Sequence, residues 1–132
     1  MHTFVIRVNA SYATGLGHIN RCAILRDSLS AINLNAYIVA QDATGNLGRY
    51  GTNDIVYREN EPPLEQWPNA DACIVDLYEY DDNYYRHLSR KYPRILMFDD
   101  VMFQVPEKVA AVINPNMYSE SRVYQADRKS VV

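Results

Sequence analysis

The chain has 132 residues, 48% of them hydrophobic and 22% charged, which is the make-up of one globular domain able to cover a sheet on both faces and excludes a disordered segment. Its formal charge of −3 comes from 13 basic and 16 acidic residues spread along the chain. No basic stretch is dense enough to follow a phosphate backbone, which argues against nucleic acid as a partner. Short apolar runs then alternate with helical patterns, the signature of βα units and a parallel sheet. Residues 3–8 are a β-branched run and read as a first, buried strand. Residues 9–17 carry two glycines and small polar residues, as a loop does. From His18 onward, Ile19, Cys22, Ala23, Leu25, Leu29 and Ile32 recur at helical spacing and predict a helix over 18–32.

Residues 36–40 read as a second strand, 44–53 as a glycine-containing loop, and 54–57 as a short third strand. Pro62 and Pro63 open a brief helical turn through Trp67, because proline is tolerated at a first helical position. Residues 72–76 form a central strand. Residues 81–91 follow as a helix with an aspartate N-cap and basic residues in its last turn, both favourable to the helix dipole. Arg86, His87 and Lys91 read as its solvated end. Residues 94–98 and 110–113 are the last strands, residues 1–118 forming the domain and 119–132 a polar tail or the start of a linker. The expected fold is therefore α/β, a Rossmann-like parallel sheet with helices on both faces.

Cys22 and Cys73 fall in a helix and a strand and read as small core residues rather than a disulfide pair. The first residues hold no basic leader pattern, and the apolar runs are too short to span a bilayer, so the expected location is cytoplasmic with no membrane partner. His2, His18 and His87 are scattered, and no ligand cluster calls for a metal.

Ligands of open parallel sheets bind outside the carboxyl ends of the strands. Three segments land there: the loop before His18, the stretch from Asp76 to Tyr80, and Asp99–Asp100. Gly15 and Gly17 allow a tight turn and close approach of a ligand. The free N–H groups opening the following helix favour a negative group, and the same dipole favours a neutral His18 ring able to accept a proton. Three readings of this loop stay open. It could be a dinucleotide fingerprint, although Asn20 stands at the third glycine position and Asp42 is the one acid near the second strand. It could be a structural turn with His18 capping the helix. It could hold a catalytic histidine.

The whole string favours the last. Ile6-Arg7-Val8-Asn9-Ala10-Ser11 followed by Gly15-Leu16-Gly17-His18-Ile19-Asn20-Arg21-Cys22 resembles the opening of the UDP-sugar hydrolases of pseudaminic acid biosynthesis. Val75-Asp76-Leu77-Tyr78 with Asp81 and Tyr84 is similar to that family's Asp-x-Tyr segment. Leu96-Met97-Phe98-Asp99-Asp100 and Val112-Ile113-Asn114-Pro115-Asn116 are similar to its Asp-Asp strand end and its Leu-Asn-x-Asn segment.

The resemblance implies the N-terminal half of a GT-B-like fold and hydrolysis of a UDP-linked diacetamido-trideoxy hexose, without a cofactor. His18 would be the general base for water, with Arg7, Asn9 and Tyr78 on the sugar side. Gly15, Gly17 and Arg21 would belong to the substrate loop, Asp76 would orient a partner, and Asp99 and Asp100 would shape the floor. Asn9 departs from the acidic residue usual in that family. A C-terminal domain, in cis or in trans, would supply most uridine and pyrophosphate contacts, so the chain by itself is expected to bind UDP-sugar weakly or not at all and to have no useful turnover. A glycosyltransferase of the same design, with an acceptor hydroxyl in place of water, fits equally. The alternative from a different class is a non-catalytic binding or assembly module that forms a homodimer. The tyrosines near residue 84 read first as packing.

Overall fold

Runs that are apolar on both sides of a strand demand cover on both faces of the sheet. In the computed structural model, which describes residues 2–10, 17–42, 54–77, 82–98, 106–113 and 130–131, that demand is met. The elements in order are β1 (Thr3–Ala10), α1 (Gly17–Ala31), β2 (Asn35–Asp42), β3 (Ile55–Tyr57), a 3-10 turn (Leu64–Gln66), β4 (Ala72–Asp76), α2 (Asp82–Ser89), β5 (Arg94–Phe98), β6 (Val109–Ile113) and β7 (Ser130–Val131). The strands form one sheet in the order β3-β2-β1-β4-β5-β6-β7, and every neighbouring pair is parallel. This is the Rossmann-like α/β architecture the sequence predicts.

The period-two alternation of a strand divides the core. Ile6 and Val8 of β1 pack with Cys22, Leu25 and Leu29 of α1, and with Ile38, Ala40 and Ile74. Val5 of β1, with Cys73 and Val75 of β4, faces the other way, onto Tyr85 and Leu88 of α2 and onto Leu64, Trp67 and Tyr92. One helix thus covers each face.

α1 stops where the chain takes a left-handed turn at Asn33, φ 63°. The Leu34 N–H donates to the Leu29 carbonyl at 2.9 Å and the Asn33 N–H to the Ser30 carbonyl at 3.1 Å. That is a Schellman cap, at a residue type whose short polar side chain tolerates the conformation.

Several boundaries differ from expectation. Asn9 and Ala10 continue β1, in register with Gln41 and Asp42 of β2, because pairing on a neighbouring strand extends an element past its apolar run. Ile32 lies beyond the helix and is 66% exposed, so it is not part of the core. Within the expected tail, Ser130 and Val131 pair with Ala111 and Val112. Lys91 is not a solvated helix end: its Nζ donates to the carbonyls of Leu64 at 2.9 Å and Trp67 at 2.5 Å. The Tyr92 hydroxyl donates to the Pro68 carbonyl at 2.8 Å. These two side chains satisfy backbone groups of an irregular segment that lacks ladder partners. Among the described residues no helix is long and apolar enough to cross a membrane.

Leu88 carries no exposed surface at the centre of the α2 face, so Leu88→Ala is expected to lower the unfolding free energy by about 2–5 kcal/mol in a urea titration, with little change in slope.

Candidate functional site

The chain runs from β1 outward to β2 and β3, then returns to place β4 on the other side of β1. Connections on the two sides of that junction run on opposite faces of the sheet, and in open parallel sheets it is outside the carboxyl ends of strands at such a junction that ligands bind. Val8 and Asp76 are in register at this junction.

On the α1 face, Asp76 receives Arg21 in a two-bonded pair, Nε to Oδ2 at 2.7 Å and Nη2 to Oδ1 at 2.5 Å. The carboxylate is 2% exposed and the guanidinium 26%. The Arg21 guanidinium also lies over the Phe98 ring, 4.7 Å from its centroid. Cys22, the next residue on α1, directs its Sγ at Asp76 Oδ2 from 3.4 Å. Burial, with the Asp76 charge adding to it, pushes the Cys22 thiol well above its ordinary value. Asp76 therefore pairs with Arg21 and fixes the end of β4 to the early part of α1.

On the α2 face, Arg7 is fully buried. Its Nε donates to Glu61 Oε1 at 3.2 Å and to the Tyr84 hydroxyl at 2.9 Å. Its Nη1 donates to the Val8 carbonyl at 2.8 Å and to Asn9 Oδ1 at 2.5 Å, and its Nη2 donates to the Tyr57 hydroxyl at 2.5 Å. The Tyr84 hydroxyl in turn donates to Glu61 Oε1 at 2.6 Å. Desolvation raises the Tyr84 hydroxyl far above its ordinary range against the lowering pull of Arg7, with Glu61 adding to the rise. It stays protonated and serves as a donor.

The expected site residues thus separate into two groups at one edge. Arg21 and Asp76 stand on the α1 face, and Arg7 and Asn9 on the α2 face, where Arg7 binds its own chain rather than open crevice. Gly17 opens α1 and His18 follows in its first turn. Gly15, Tyr78, Asp99, Asp100 and the His18 side chain lie outside the described residues. Asp42 ends β2 and is buried, and Asn20 Oδ1 is buried without a hydrogen-bond partner among the described residues.

Tyr57 and Glu61 are the site residues that sequence reasoning does not find. Nothing in their spacing sets them apart, and only the fold brings them to Arg7. Tyr84, which reads first as packing, is a polar partner of that arginine. Among the described residues no group of three metal-binding side chains forms.

Comparison of the chain with known protein families, with curated proteins and with solved structures finds no match. What the fold defines is a Rossmann-like α/β domain with polar side chains gathered at the carboxyl edge of its sheet.

Two outcomes follow from this geometry. Replacing Arg7 by methionine keeps the length of the side chain but strands Glu61 and the two tyrosine hydroxyls; the expected loss is about 3 kcal/mol in chemical denaturation. Cys73 is fully buried and its thiol is pushed up to about 12 by desolvation. Both cysteines should therefore resist a thiol reagent at pH 8 in the native chain and react promptly in denaturant.

Proposed function

We propose that the chain is the sugar-facing domain of a nucleotide-sugar hydrolase, releasing UDP from a diacetamido-trideoxy hexose with His18 as general base. Water attacks the anomeric carbon while His18 takes its proton, and the bond from that carbon to the pyrophosphate oxygen breaks, so UDP leaves with its electron pair. A second Rossmann-like domain, in cis or in trans, holds the uridine and pyrophosphate in this reading, because general-base catalysis requires both reactants held in place.

The observation that carries the reading is the two-bonded Arg21–Asp76 pair at the β1/β4 junction. It joins two of the stretches that resemble the hydrolase family, the Gly-x-Gly-His-x-x-Arg-Cys string and the Asp-x-Tyr segment. It does so at the place where parallel sheets bind ligands. The opening turn of α1 carries no acidic residue, so its N–H groups and dipole remain suited to a negative group.

The test is UDP release from a panel of UDP-sugars, with the chain alone and with a C-terminal nucleotide-binding domain of the resembled family added. Release is expected only with both halves, and His18→Ala should reduce it by about 100-fold or more while the circular dichroism spectrum is unchanged. Absence of release from two well-folded halves would reject the hydrolase in favour of a binding or assembly module.

A further inference from the structure

Helix α1 reverses the usual arrangement of a surface helix. A helix on one face of a sheet ordinarily turns apolar residues inward and charged residues to water, as α2 does with Tyr85 and Leu88 inside and Arg86 outside. In α1, Arg21 and Arg26 turn to the buried carboxylates of Asp76 and Asp54, whereas Ile24 is 67% exposed and Ile32, at the helix end, 66% exposed. These are the two large apolar side chains left exposed among the described residues. They stand about two turns apart on one side of the helix, with Asp27 exposed between them.

α1 lies over β1 and β2. Beyond it on the same face, Leu96 of β5 and Ile113 of β6 are half-buried, and among the described residues no second helix lies on that face. The face is therefore a step, a ridge about 10 Å high, the width of a helix, beside an apolar floor. Strand alternation places Arg94 on the same face as Leu96, at the amino end of β5. Lys108 stands next to it, one residue before Val109 pairs with Ile95. Both cations are exposed, and neither forms an ion pair among the described residues.

We propose that a second copy of this chain covers the α1 face, the α1 ridge of each copy seated on the β5–β6 floor of the other about a two-fold axis parallel to the strands. An axis across the strands would set ridge on ridge instead. The parallel axis keeps the strand direction. Because α1 leaves the carboxyl end of β1 and ends where β2 begins, its last turn then reaches the amino end of β5 in the other copy. Asp27, one turn before the helix end, meets Arg94 and Lys108 there, and Ile24 lies over Leu96. This charge match is what selects a second copy as the occupant. Each contact is made twice, so the interface is isologous and closed. Ridge and floor together cover on the order of 1,000 Å², the low end for a specific interface. The carboxyl edges of both copies stay open and point the same way, so the pairing stands or falls independently of the nucleotide-sugar reading.

The experiment is sedimentation velocity of the full chain from about 10 µM to 1 mM, the range that suits an interface of this size. The native chain is expected to pass from monomer to dimer. Ile24→Gln and Asp27→Arg should each weaken the dimer by about tenfold or more. Both positions are exposed in the single chain, so the circular dichroism spectrum should be unchanged. Asp27→Arg combined with Arg94→Asp exchanges the charges across the interface and should restore association to within about threefold of the native value. A chain that stays monomeric throughout overturns the proposal, as does a dimer indifferent to Ile24→Gln or a double variant no tighter than Asp27→Arg alone. Dissociation of the dimer by an added C-terminal nucleotide-binding domain of the resembled family would assign the face to that domain and overturn it too.

Discussion

A guanidinium with no exposed surface stands in β1, the strand at the middle of the winding, and the carboxyl edge on the α2 face is arranged to meet it. A charge taken out of water costs several kcal/mol unless it is paired and hydrogen-bonded. Arg7 meets that requirement with one carboxylate, two phenol hydroxyls, a side-chain amide and a backbone carbonyl. Those partners come from β1, the end of β3, the segment after it and α2. The stretch between β3 and β4 is irregular except for one 3-10 turn; Leu64 and Trp67 within it bury their side chains in the core, and Glu61 is held at Arg7 by charge and hydrogen bonding.

Two further arginines do comparable work from α1. Arg21 holds Asp76 at the end of β4. Arg26 Nη1 meets Asp54 Oδ2 at 2.6 Å, while Asp54 Oδ1 accepts the Ile38 N–H of β2 at 2.8 Å. Asp54 directly precedes β3, and its carboxylate takes the Ile38 N–H within β2, next to Val39 where β3 begins to pair, so a side chain extends the ladder by one bond. Asp54 and Asp76 are each 2% exposed, and such pairs specify geometry more than they add stability. They fix α1, and with it the opening turn at Gly17 and His18, against β4 on one side and β2 and β3 on the other.

The electrostatic consequence bears on recognition. Arg7 is matched by Glu61 and Arg21 by Asp76, so neither cation is a bare anion receptor.

Hydrophobic periodicity by itself determined the α/β class, the existence of each strand from β1 to β6 and of both helices, and the edge at which polar residues collect. These features follow from local pattern: β-branched runs make buried strands, and the spacing of Cys22, Leu25 and Leu29 makes a helix face. The positions of Asp76 and Arg21, at a strand end and early in a helix, were also legible. The tertiary structure alone decided that Asn9 belongs to a strand, that Lys91 serves carbonyls near Trp67, and that Arg7 and Asp76 face opposite sides of the sheet. It alone brought Tyr57, Glu61 and Tyr84 to one buried arginine, residues 50, 54 and 77 positions away from it. Local sequence sets backbone conformation and which face is apolar. The partners of a buried charge are set by strand order and loop path, and no residue spacing records those.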